Sequence, residues 1–112
     1  GYQVNAHLRL LLDDIINEDR RLVILQLLEQ AQDFVLNEAV LERALAHVGV
    51  LPAGRDIVRG HLAWLEQNSL LTLDRLPLDG GRQLWVAHGT KLGTEVAKGR
   101  PFPGVARPSA PG

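Results

Sequence analysis

The sequence predicts a mainly α-helical fold with one small β-hairpin. Apolar residues recur at helical spacing in four segments between residues 5 and 68. Two short β-compatible runs, Leu70–Leu76 and Gln83–His88, flank the turn Pro77-Leu78-Asp79-Gly80-Gly81-Arg82. The composition is that of a folded chain: 46% hydrophobic and 22% charged over 112 residues, with a formal net charge of −1. That length supports one compact unit. The same figures exclude disorder of the whole chain and a protein that coats nucleic acid by charge alone. With no cysteine, a disulfide framework, a thiolate zinc site, an iron–sulfur cluster and a cysteine nucleophile are also excluded.

Residues 5–17 read as a first helix, with Leu8, Leu11, Leu12, Ile15 and Ile16 on one apolar stripe. A second helix is expected over 18–32, carried by Leu22, Leu25, Leu28 and Val23, with Glu18 and Asp19 at the positive end of its dipole. No Pro or Gly separates the two, so one long helix is equally compatible. Asp33–Leu36 reads as a break. Asn37 is a good N-cap for a helix over 38–48 that buries Val40, Leu41, Ala44, Leu45 and Val48, with Gly49 closing it. After the turn 49–54, a helix over 55–68 buries Val58, Leu62 and Leu65, with Ile57, His61 and Trp64 widening its stripe. Asp-Gly and Gly-Gly supply the positive φ angles that a tight hairpin turn needs. In the hairpin, Leu71, Leu73, Leu84 and Val86 are the expected core contacts. Thr90 then caps a short helix over 91–98. The Pro- and Gly-rich stretch 99–112 cannot form a regular element and is expected to be an extended or mobile tail.

Helices too short to stand alone, the last leading straight into a hairpin, describe a winged helix-turn-helix with an extra N-terminal helix. This divides the chain into an N-terminal helix (1–17), the winged domain (18–98) and a tail (99–112). The segment Val58–Leu73, VRGHLAWLEQNSLLTL, resembles the recognition helix and following strand of winged-helix regulators of the ArsR and MarR kind. Asn68-Ser69 stands where those families often place glycine. TKLGTEVA, Thr90–Ala97, resembles the opening of the helix after their wing. The pieces DRRLVILQLL, LNEAVLERAL, HLAWLEQ and EVAKGRPFPGVARP, spread over Asp19–Pro108, resemble small ArsR-like proteins of Mu-like phages and prophages. The resemblance implies a winged-helix fold, a phage setting and the cytoplasm of a bacterial host.

Charge is unevenly spread: residues 1–50 sum to −4 and residues 51–112 to +3. That asymmetry points to an anionic partner for the second half, and the winged-helix resemblance implies binding of double-stranded DNA, in transcription regulation or packaging. Arg55, Arg59 and Ala63 lie on the outer face of the second helix of the motif, Arg82 at the hairpin tip, and Lys98 and Arg100 at the basic C-terminal end. Asp56, Glu66, Asp74 and Asp79 oppose them. The alternative is a winged helix that docks onto a phage or host protein and binds no DNA. The stripe Leu8, Leu11, Leu12, Ile15 and Ile16 is more than a winged core needs, so a homodimer through this helix is expected. No membrane partner, cofactor or metal is expected, since His7, His47, His61 and His88 lack ligand spacing. No enzymatic activity is expected either. Asp13-Asp14 and Glu18-Asp19 are neighbours that do not face each other on a helix, and no phosphate loop or nucleophile cluster is present.

Overall fold

The computed structural model describes residues 2–48 and 52–109. Four α-helices and three β-strands follow in the order α1 (Tyr2–Gln30), β1 (Val35–Asn37), α2 (Glu38–His47), α3 (Arg55–Gln67), β2 (Leu71–Pro77), β3 (Gln83–Gly89) and α4 (Lys91–Ala97). The molecule is thus mainly helical, with a small antiparallel sheet in the order β1-β3-β2.

The two N-terminal helices are a single helix, α1, since nothing between residues 5 and 30 interrupts its hydrogen bonding. It ends where Asp33 (φ 57°) and Phe34 (φ 59°) adopt left-handed conformations in a turn of 3-10 helix. The expected break at 33–36 therefore gives way to a strand. Val35, Leu36 and Asn37 pair with His88, Ala87 and Val86. Three residues carry too little periodicity to announce a strand; its partner, some 50 residues on, supplies the pairing. Asn37 then caps α2 as expected, its side chain accepting from the Val40 amide at 3.0 Å.

The core collects Leu22, Ile24, Leu25 and Leu28 of α1, Leu41 and Leu45 of α2, and Val58, Leu62 and Leu65 of α3. Leu71, Ala87 and Val96 close it from the sheet and α4. Several expected core positions differ. Ile24, not Val23, is fully buried in α1. In α2 the buried line is Glu38, Leu41 and Leu45, while Val40 and Val48 face solvent. Ile57 is exposed as well. Gly49 and Leu51, read as part of the turn, lie outside the described residues.

The hairpin face is the other correction. Its register sets Leu73 opposite Ala87 and Arg75 opposite Trp85. Directly paired residues share a face and neighbours alternate. The core side is therefore Leu71, Leu73, Trp85 and Ala87, and Leu84 and Val86 fall on the other side. The turn has Gly80 and Gly81 at φ 77° and 76°. Thr90 caps α4 by accepting from the Gly93 amide and donates to the Ser69 carbonyl. Gly93 is forced by packing: a Cβ there would stand 1.9 Å from the Leu70 carbonyl oxygen.

Among the described residues, 99–109 of the C-terminal stretch are extended, one of the two expected states, and are docked on the body rather than mobile. Arg21 donates to the Gly104 carbonyl (2.9 Å) and the Ala106 amide to the Glu18 carbonyl (3.2 Å). Val105 is buried, and Phe102 meets Trp64 edge-on. Gly104, at φ 89°, lets the chain lie against the Trp64 ring, where a Cβ would come within 2.5 Å. Two apolar side chains and these two hydrogen bonds are enough to order a segment whose composition alone reads as loose.

Two outcomes follow. Ser69 holds a left-handed φ of 61° with an exposed side chain, at the position where the resemblance placed glycine. Relief of that conformation is worth about 1–2 kcal/mol, against about 0.4–1 kcal/mol of added unfolded-state entropy. Ser69→Gly should therefore raise stability slightly in urea unfolding; destabilisation would show that the hydroxyl matters. His61 is buried, and its pKa is pushed down to about 4 by burial and by the charges of Arg21 and Arg20. The native state thus holds it neutral, and stability is lost as pH falls from the ordinary histidine value near 6.5 towards 4. His61→Leu should flatten the urea midpoint across that interval.

Candidate functional site

An open cleft lies between the first turns of α3 and the hairpin tip. Arg55, Arg59, Leu78, Gly81, Arg82, Gln83 and Leu84 line it. Three guanidiniums and no carboxylate are in that lining. The acids stand behind it, on α2.

Glu38 is the centre of the arrangement. As the first residue of α2 after the Asn37 cap it is brought under the hairpin, and its side chain is fully buried. Arg59 donates to it twice, Nε to Oε1 at 2.5 Å and Nη2 to Oε2 at 2.8 Å. The Trp85 amide donates to Oε2 at 2.6 Å. Burial alone would push the Glu38 carboxyl up. The Arg59 hydrogen bonds, the Trp85 amide and the charges of Arg59 and Arg55 outweigh it and hold the group below the usual carboxylate range. Arg59 also donates to the Gln83 carbonyl at 3.0 Å, so one guanidinium joins α2, α3 and β3.

The Trp85 ring completes the cluster. The guanidiniums of Arg59 and Arg75 lie over it at 4.8 and 4.4 Å, a distance at which cation and ring face attract. Arg75 is further held by Glu66 at 3.1 Å. Arg55 donates through Nε to Glu42 at 2.7 Å and stands 3.8 Å from Glu38. The Arg82 side chain donates to the Asp79 carbonyl of its own turn, at 3.3 Å, and pairs with no carboxylate among the described residues. Of the cleft's three cations, Arg82 is the one whose charge is not already met, Arg55 is half-committed, and Arg59 is spent on Glu38.

The remaining expected positions separate from this cleft. Ala63 is half-buried on α3. Lys98 lies 3.8 Å from Glu29 at the end of α1, and Arg100 is paired with Glu95; neither lines the cleft. Leu8, Leu11, Leu12 and Ile15 are exposed, and Ile16 is half-buried. Among the described residues no group of three or more His, Asp or Glu side chains is placed to hold a metal ion. No helix among them is long and apolar enough to cross a membrane. Sequence reasoning missed Glu38. It read as an ordinary acid in a helix's first turn, and its partners come from α3 and β3, 21 and 47 residues away.

The Glu38 network gives a direct expectation. Glu38→Gln keeps the volume but removes the charge that Arg59 meets, and breaking a buried pair costs more than the pair itself contributes. Glu42→Gln breaks an exposed contact of small worth. The urea midpoint should fall clearly for Glu38→Gln and hardly move for Glu42→Gln, and equal shifts would show that burial of Glu38 carries no weight. Because the native carboxyl sits below its ordinary value, its contribution is present above about pH 4.5 and is lost as pH falls through the depressed native value.

No family model matches the chain, and no solved structure matches it. Two relatives are informative. An uncharacterized protein of Haemophilus influenzae is 41% identical over 63 residues, which cover 56% of this chain and 60% of that protein. The uncharacterized protein gp26 of Escherichia phage Mu is 38% identical over 99 residues, covering 88% of this chain and 96% of gp26. An alignment of that extent, running through all four helices and the hairpin, places the chain in the family of phage Mu gp26.

Proposed function

We propose that this chain is a phage- or prophage-borne winged-helix protein that binds double-stranded DNA as a homodimer. The fold supports the first part. Helices α2 and α3 follow each other in the chain, separated by residues 48–54, and α3 leads directly into a hairpin. In a winged helix-turn-helix the second of these helices enters the major groove and the hairpin reaches the backbone beside it. The observation that carries the reading is the cleft between α3 and the hairpin tip, lined by Arg55, Arg59 and Arg82 and by no carboxylate. Glycine at positions 54 and 60 leaves open space on the outside of α3, where a Cβ would meet nothing within 4 Å. A polyanion can approach that face closely.

The pairing of these arginines also sets how strong the binding is. Arg59 has both Nε and Nη2 on Glu38, so it presents little free charge. Arg82 and Arg55 are the effective contacts, about two phosphates per copy and four per pair. Counterion release then gives a modest salt slope and an affinity loss on the order of 10²-fold between about 50 and 200 mM salt. The same pairing favours a second reading. Arg55, Arg59 and Arg75 are each matched by a carboxylate of their own chain, which suits a surface that docks a phage or host protein.

Fluorescence anisotropy with a mixed-sequence duplex separates the two. DNA binding predicts a titratable signal at about 50 mM salt, a loss of that order by about 200 mM, and both affinity and slope reduced by Arg55→Ala with Arg82→Ala. A folded protein that gives no signal at the lower salt overturns the DNA reading and leaves protein docking.

A further inference from the structure

The first three turns of α1 form an arm. Every residue from Asn5 to Ile15 is exposed, and burial begins only at Ile16. On one side of the arm Leu8, Leu11, Leu12 and Ile15 are 45–54% exposed. A free helix of this length is marginal in water, and a single exposed stripe of four large apolar side chains is a surface that soluble monomers rarely leave open.

We propose that this arm pairs antiparallel with the arm of a second copy, about a two-fold axis passing between Leu11 and Leu12. This rests on the homodimer reading above and not on the DNA reading. The apolar positions 8, 11, 12 and 15 have the spacing 3, 1, 3, which is the same from either end. Antiparallel pairing about the midpoint therefore sets Leu11 opposite the partner's Leu12 and Leu8 opposite the partner's Ile15, with no polar residue forced into the seam. Arg9 comes level with the partner's Asp14 and beside the partner's Asp13, whereas parallel pairing would bring Arg9 to Arg9 and acid to acid. The two helix dipoles also oppose each other only in the antiparallel arrangement. The two bodies, which begin at Ile16, then sit at opposite ends of the pair.

The size of the stripe fits a second copy. Four half-exposed aliphatic side chains present on the order of 200–300 Å² of apolar surface per copy. With its polar rim the pair buries about 1,000 Å² in total, the lower edge of specific interfaces. Leu10, about 200° round the helix from Leu8, stays outside the seam.

The chain has no cysteine, so single cysteines report the geometry directly. In the whole 112-residue chain, Leu8→Cys, Leu11→Cys and Ile15→Cys are exposed changes that leave the core untouched. Antiparallel pairing predicts that Leu11→Cys cross-links with itself under mild oxidation. Leu8→Cys alone and Ile15→Cys alone do not, because each lies about 10 Å along the axis from its own copy, beyond the roughly 7 Å a disulfide spans. A mixture of Leu8→Cys and Ile15→Cys does cross-link. Sedimentation of the unmodified chain should show a dimer with a micromolar Kd. A monomer up to about 100 µM overturns the homodimer. A dimer in which Leu8→Cys and Ile15→Cys each cross-link with themselves, or in which no arm cysteine cross-links, leaves a homodimer and overturns this pairing.

Discussion

One buried carboxylate holds the working part of this molecule in place. Glu38 accepts from Arg59 of α3 and from the Trp85 amide of β3, and it is the first residue of α2. It thereby ties α2, which stands behind the cleft, to α3 and β3, which line it, so the angle between α3 and the hairpin depends on it. An apolar residue at position 38 would pack against the core, but it would leave the Trp85 amide without its acceptor and Arg59 without its anion. The buried ion pair contributes little net stability for its cost of desolvation. What it does is fix one geometry: a forked guanidinium and a planar carboxylate meet in few ways, and a hydrophobic contact would let the hairpin slide.

The same pairing limits the chemistry of the cleft. An arginine that orients the hairpin cannot also hand its full charge to a ligand. Arg59 is thus a positioning residue, and the cleft's outward charge comes from Arg82, beside a turn whose two glycines hold positive φ, and from the part of Arg55 not taken up by Glu42. A net charge of −1 over the whole chain adds no long-range attraction to DNA. Under the DNA reading, binding by this surface would depend on shape and on a second copy to double the contacts, so the proposed pairing of the arm and the cleft would be parts of one design.

Much of the fold was legible because it is local. Helical spacing marked α1, α2 and α3, Asn37 and Thr90 announced two caps, and Asp79-Gly80-Gly81 announced the turn. Long-range pairing was not legible. β1 has three residues and exists only because β3 is there. The core face of the hairpin was read one residue out of step, since Leu84 and Val86 are as apolar as Trp85 and Ala87 and only the register with Leu71 and Leu73 decides between them. Of the candidate site, Arg55, Arg59 and Arg82 were found from their places on the helix and the tip, and the cleft brings those three together. Glu38, which decides how much of their charge is usable, was hidden because a carboxylate's partners are not encoded near it.

Helix α1 shows how one continuous element can serve two purposes with a sharp boundary. From Ile16 onward its apolar residues fall under α2, α3 and α4, and its other side accepts the C-terminal segment through Arg21 and Glu18. Before Ile16 the same repeat of Leu and Ile continues with nothing among the described residues to cover it. Periodicity alone cannot distinguish these halves, because the hydrophobic pattern is the same in both. What differs is the reach of the body: a helix of 29 residues is about 43 Å long, longer than the helices and sheet packed against its second half. An apolar stripe that overruns its own core retains a driving force for association of the same kind that folds the rest, and under the proposed pairing the symmetry of its spacing would direct that force toward a second copy.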